Sequence, residues 1–125
     1  MQPYPHGELV VVLDCGDLER AAAFWSQILG YRRMGEPTGP YLSLQPTTEG
    51  APELLLQRVP EQKRVKNRMH LDLRTKDLDA EVGRAVAVGA VIVTNEPIAE
   101  HGWRWYVLAD PDGNEFCVLQ PPDDD

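Results

Sequence analysis

Residues 70–90, HLDLRTKDLDAEVGRAVAVGA, read as a strand, a capped helix and a stop, and residues 11–31, VVLDCGDLERAAAFWSQILGY, read the same way. In the first stretch, extended back by one residue, apolar Met69, Leu71 and Leu73 alternate with His70, Asp72 and Arg74. That period of two marks a half-buried strand over 69–74. Asp77 supplies a short carboxylate for the unpaired amides of a helix start. Leu78, Val82, Ala85 and Val86 then follow at helical spacing, and Gly89 ends the run. In the other stretch, Glu8 to Asp14 is a dense, valine-rich run that reads as a buried strand. Asp17 caps a helix with apolar Leu18, Ala21, Ala22, Trp25, Ile28 and Leu29, and Gly30 stops it.

Asp17-Leu18 and Asp77-Leu78 stand 60 residues apart. Short strands follow each helix: near 31–35, 41–45 and 53–59 in the first half, and near 90–94, 103–109 and 115–120 in the second. Asp110-Pro111-Asp112-Gly113-Asn114 is a tight-turn signal between the last two. The order β-α-β-β-β thus occurs twice, and the chain is a duplicated unit of about sixty residues. One domain is expected, with modules over about 8–59 and 69–120 and a polar, basic linker at 60–68. Met1 to Gly7 reads as irregular and Asp123 to Asp125 as a frayed tail.

The chain has 125 residues, enough for a core without disulfide staples. Twelve Lys+Arg against 20 Asp+Glu give a net charge of −8. That balance argues against nucleic acid and against an anionic membrane as partners. Two cysteines, Cys15 and Cys117, are too few for a disulfide scaffold, and Met1 to Pro5 lacks the positive charge of a signal sequence. A reduced, cytoplasmic protein is expected. The sequence has no GxGxxG, Walker loop, HExxH, CxxC or GxSxG motif. Residues 110–114 look like a fragment of a calcium loop but lack its further ligands.

The two stretches quoted above, with WYVLADPDGNEFCVLQ at 105–120, resemble the vicinal oxygen chelate superfamily. That superfamily includes glyoxalase I, bleomycin- and fosfomycin-resistance proteins and extradiol dioxygenases. The resemblance runs from about Glu8 to Gln120 and is strongest to small glyoxalase-like proteins. It implies an α+β fold: two βαβββ modules forming a cup-shaped, mostly antiparallel eight-stranded sheet, with helices on the convex face and a ligand in the concave one. It also implies a homodimer. A fold of this kind hosts many chemistries, so function must be read from the site.

Metal-using members of the superfamily place a ligand on the first and last strand of each module. Carried over by the repeat, those positions are Val10, Leu55, His70 and Cys117. Valine and leucine have no lone pair, and catalytic zinc takes three protein ligands. A set displaced by two residues, Glu8, Glu53, His70 and Glu115, would require ligands shifted by about 7 Å along the strands. The expectation is no metal and no other cofactor, with a divalent ion at the displaced set as the alternative.

Strand alternation sends Leu54, Leu56, Met69, Leu71, Leu73, Phe116 and Val118 towards the helices. It sends Val10, Val12, Glu53, Leu55, Gln57, His70, Asp72, Arg74, Glu115, Cys117 and Leu119 towards the cup. Histidine is the side chain best suited to proton transfer at physiological pH, so His70 is the first candidate for acid–base work, with Glu115 as its partner. A structural hydrogen bond from His70 to Asp72 or Glu115 is the competing reading. Cys117 is read as a small buried hydrophobe rather than a nucleophile, because acidic neighbours oppose the thiolate. Trp103 and Trp105 share one strand face. They either stack on a planar ligand or pack in a core or dimer contact. Trp25 reads as core, and His6 and His101 as loop residues without chemistry. Lys63, Arg64, Lys66 and Arg68 form a solvated linker or a guide for an anionic ligand.

The function expected is binding of a small organic molecule in the cup without a metal, with Gln57, Asp72, Arg74, Trp103, Trp105 and Cys117 as contacts. The alternative is a lyase, isomerase or dioxygenase using the displaced metal set or His70 with Glu115.

Overall fold

Asp17 and Asp77 start the two helices as their positions predict. Each has extended backbone angles, and its carboxylate accepts from the amide three residues on, Arg20 N or Ala80 N, at 3.1 Å. Helix α1 spans Leu18–Leu29 and ends on Gly30, whose φ of 68° suits a residue without Cβ. Helix α2 spans Leu78–Ala87 and is capped by Val88. The structure is a computed structural model that describes residues 9–123. The expected arm at Met1–Gly7, His6, Glu8 and the tail residues Asp124 and Asp125 lie outside the described residues.

The described chain contains these two helices and nine strands. Around α1 lie β1 (Val10–Cys15), β2 (Arg32–Arg33), β3 (Tyr41–Gln45) and β4 (Glu53–Arg58). Around α2 lie β5 (Leu71–Arg74), β6 (Val91–Ile92), β7 (Ile98–Glu100), β8 (Trp103–Ala109) and β9 (Glu115–Gln120). The chain divides into two compact units between Gln62 and Lys63.

The first unit's sheet has the order β1-β4-β3-β2, and the second's has β5-β9-β8-β6 with β7 also on β8. The two orders are the same walk through the repeat, so the duplication is present in the hydrogen-bonded ladders. In each unit the first strand pairs parallel to the last, and the other pairings are antiparallel. The registers also correspond, with Val12 opposite Leu55 and Asp72 opposite Cys117.

Eight strands in one sheet were expected; the ladders form nine strands in two sheets. The additional strand arises because β8 is lined by two short segments, β6 along Leu108–Ala109 and β7 along Trp103–Trp105. Pro97, which has no N–H to give a ladder, lies in the interruption. Met69 was expected to face the helices. It lies outside β5 and is 89% exposed.

Each helix covers one face of its own sheet. Leu18, Ala21, Ala22, Phe24, Trp25 and Ile28 are buried, together with Leu42, Leu44, Leu54 and Leu56 of the sheet. Phe24 meets Trp25 edge-on, with ring centroids 5.1 Å apart. Leu78, Val82 and Ala85 are buried likewise, with Leu108, Phe116 and Val118. Val86, counted among the core positions of α2, is exposed. Both cysteines are thiols, and Cys15 donates to the Gln57 carbonyl at 3.7 Å. Among the described residues no helix is long and apolar enough to cross a membrane.

Candidate functional site

With Leu108, Phe116 and Val118 turned to the helix side, alternation leaves Trp103, Trp105 and Val107 of β8 and Glu115, Cys117 and Leu119 of β9 on the other face. These six line a cavity of about 340 Å³ in the second unit. His70 and Asp72, from β5 and the residue before it, close one side, and Lys66 and Asn67 another. Trp105 stands across from Leu119 and Val107 from Cys117. The wall is therefore mostly apolar, with a few polar groups, as small-molecule pockets are.

The polar groups gather around Cys117. The His70 Nε2 lies 3.1 Å from Asp72 Oδ1. One donor atom each of His70, Asp72 and Cys117 lie within 4.8 Å of one another. Burial pushes the Cys117 thiol up to about 11, and the neighbouring Asp72 carboxylate adds to the effect. At neutral pH Cys117 is a protonated thiol, not a nucleophile.

Glu115 lies on the same wall, but its carboxylate is engaged. Lys63 Nζ is 2.7 Å from Oε1, and Asn67 N donates to the same oxygen at 3.1 Å. Asn67 Nδ2 also donates to the Glu115 carbonyl at 3.2 Å. The Lys63 ammonium, followed by the Asn67 amide, holds the Glu115 carboxyl below its ordinary range. As the partner of His70 in acid–base work, Glu115 would first have to leave these bonds. The solvated-linker reading of the basic cluster fails at Lys63, whose side chain is only 20% exposed.

The remaining candidates are placed as follows. The Arg74 guanidinium lies over the Trp103 ring at 5.1 Å from its centroid, a cation–π contact, and Arg74 is not among the residues that line the cavity. Gln57 sits on β4 in the first unit, across from Asp14 and Tyr41, and does not line this cavity. Two lining residues escaped sequence reasoning. Val107 continues the Trp103–Trp105 alternation and was legible from it. Asn67 sits in a segment whose local polarity signals only a linker.

The divalent ion that the resemblance implies does not fit its four positions, because Val10 and Leu55 offer no donor. The displaced set fits no better. Glu53 accepts from Ser43 Oγ at 2.6 Å, Glu115 is bonded to Lys63, and Glu8 lies outside the described residues.

Two βα-led sheets with the same strand walk, and a cavity on the face opposite a helix, define a protein of the glyoxalase-like class. A family model for the glyoxalase-like domain matches residues 10–119, and the chain belongs to that family, within the vicinal oxygen chelate superfamily. Solved structures share the fold. A hypothetical protein from S. aureus superposes with a TM-score of 0.69 at 21% identity, covering 94% of this chain and 99% of that one. A glyoxalase/bleomycin resistance protein/dioxygenase family enzyme from Burkholderia phytofirmans gives 0.71 at 20% identity, over 89% and 95%. A fosfomycin resistance protein, FosX, from Listeria monocytogenes, solved as a variant with Mn(II) and a dihydroxypropylphosphonic acid, gives 0.71 at 14% identity, over 92% and 90%. A search of curated proteins finds no significant match.

Proposed function

We propose that this chain binds a small organic molecule in the cavity of its second unit, without the four-donor metal centre of its superfamily. The observation that carries the reading is the cavity itself. Trp103, Trp105, Val107 and Leu119 supply flat and apolar wall, and His70 and Asp72 supply a polar edge. Lys66, also on the wall, favours a ligand with an anionic group. The reading takes the protein as cytoplasmic and, following the resemblance, as a homodimer.

The test uses the tryptophans as reporters. Titration with a panel of planar organic acids and antibiotics should quench or shift tryptophan emission, and a binder should raise the melting temperature. Trp105→Ala should abolish the response while a Trp25-based signal persists. Panel binding that is unaffected by Trp103→Ala and Trp105→Ala would overturn the assignment of this cavity.

A second reading is favoured by the His70–Asp72 pair. A carboxylate 3.1 Å from Nε2 orients the imidazole as in general acid–base sites. On that reading the chain is a lyase, isomerase or dioxygenase of its superfamily. His70→Ala would then remove turnover and leave ligand binding intact.

A further inference from the structure

We infer that residues 63–69 form a strap over the cavity, latched to β9 through Glu115 alone, and that the strap opens as a unit while the sheet stays folded. The strap lies between β4 and β5 and belongs to neither. It supplies two of the cavity's lining residues, Lys66 and Asn67. That the opening serves ligand entry rests on the function proposed above; that it occurs does not.

The latch is read from where the strap's bonds end. Lys63 Nζ pairs with Glu115 Oε1, Asn67 N donates to the same oxygen, and Asn67 Nδ2 donates to the Glu115 carbonyl. Lys63 Nζ also donates to the Val65 carbonyl at 2.6 Å, a bond that stays within the strap. Among the described residues, no other hydrogen bond or ion pair ties 63–69 to the sheet. Burial follows the same pattern. Lys63 and Asn67 are half-buried, and the other five residues of the strap are exposed.

Val65 is 78% exposed and Met69 89%, so the strap has no apolar anchor, and lifting it uncovers almost no apolar surface. Its closure depends on polar bonds to one residue. A segment with few buried apolar contacts opens at a lower free energy than the core of the same unit. Strands β8 and β9, by contrast, are joined by a ladder that runs from Arg104 opposite Gln120 to Ala109 opposite Glu115, and they bury Leu108, Phe116 and Val118. Opening therefore breaks the Glu115 bonds and leaves the ladder intact. Closed, the strap holds Lys66 at the cavity wall; open, it clears that side of the cavity and carries Lys66 away. A ligand whose anionic group meets Lys66 thus favours the closed strap.

Amide exchange of the full chain, followed by NMR without ligand, tests the strap, because the Asn67 amide is itself part of the latch. In the native protein that amide should exchange about tenfold or more faster than the hydrogen-bonded amides of the β8–β9 ladder. Urea below the unfolding transition should speed the ladder amides and leave Asn67 unchanged, since opening the strap exposes little new surface. Glu115→Ala should raise Asn67 exchange by about 10–100-fold, the loss of one hydrogen bond to a charged acceptor. Acrylamide, a neutral quencher, should then quench Trp103 and Trp105 more strongly than in the native protein, with Trp25, buried on α1, as the unchanging background. Asn67 exchanging at the ladder's rate, with the ladder's urea dependence, would overturn the proposal in the native protein, whether or not the variant folds. Quenching unchanged in a folded Glu115→Ala would show that the strap does not cover the cavity, and would overturn it too. Neither measurement uses a ligand, so a panel that fails to bind would count against the proposed function and not against the strap.

Discussion

Glu115→Ala tests whether one carboxylate holds the cavity's polar wall in place. The carboxylate accepts from the Asn67 backbone amide and pairs with Lys63, and both long side chains of the pair are mostly buried, 18% and 20% exposed. A hydrogen bond to a charged acceptor contributes about 1.5–3 kcal/mol net. The ion pair adds about 0.2–1 kcal/mol at such a site. Glu115→Ala should therefore cost about 2–4 kcal/mol, or roughly 3–6 °C of melting temperature per kcal/mol at this chain length. Glu115→Gln keeps an oxygen for Asn67 and loses only the charge, so it should cost less than half as much.

Urea denaturation of the native protein, Glu115→Ala, Lys63→Met and the double variant gives the assay. The double-mutant cycle should return a coupling of about 0.5–1 kcal/mol for the pair alone. The pH dependence has a definite sign. Glu115 is held below its ordinary value of 4.5, so its contribution is complete above that pH. It is lost as the pH falls through the folded value, and the native protein should lose its advantage over Glu115→Gln on acidification. Equal stability of Glu115→Ala and native protein at pH 7, with zero coupling, would refute the claim that residues 63–67 are pinned to β9.

Four further outcomes follow from three sites. Cys117 in the native protein should react with a disulfide reagent far more slowly at pH 7.5 than in urea, and its reaction should accelerate as the pH approaches about 11. Because that folded value is raised above 9.0, stability should be level below pH 9 and decline above it in metal-free native protein, but not in a folded Cys117→Ala variant. Trp25→Ala, at a residue 1% exposed and edge-on to Phe24, should cost about 3–5 kcal/mol in urea unfolding. Asp110 is 2% exposed and accepts from Asp112 N, Asn114 N and Asn114 Nδ2 in the β8–β9 turn. Asp110→Ala should cost about 2–4 kcal/mol, and a change below about 0.5 kcal/mol would show that the turn does not depend on it.

The parts of the fold that were legible are those where burial and chemistry coincide. Strands β3, β8 and β9 have the bounds their alternation predicts, and both helices begin where an Asp can cap. Strand β7 left no such trace, because Ile98, Ala99 and Glu100 are all exposed and their strand exists only through pairing with β8. Its signal was the turn, not the strand. His101 and Gly102 have φ of 52° and 85°, both positive, as the two centre residues of a type I′ hairpin require. Histidine is an uncommon choice for the first of these positions, so the pair did not read as a hairpin. Lys63 was illegible for another reason. Its partner Glu115 is remote in sequence, and a local window sees only a charge among charges. The face of the site fared better, since His70, Asp72, Glu115 and Cys117 follow from a period of two.

The repeat also isolates what the second unit has that the first lacks. The ladder that sets Asp72 opposite Cys117 sets Val12 opposite Leu55, and His70 corresponds to Val10. Backbone path, parallel pairing and capping Asp are shared, so the fold by itself does not place polar groups on this face. The first unit carries three hydrocarbon side chains there, with Val12 half exposed at 50%. The second carries an imidazole, a carboxylate and a thiol within reach of one another. A polar cluster on a sheet face costs desolvation that valine and leucine avoid. The first unit shows that the ladder forms without that cost. The cluster is therefore not needed to build the fold, since the same ladder forms in the first unit without it.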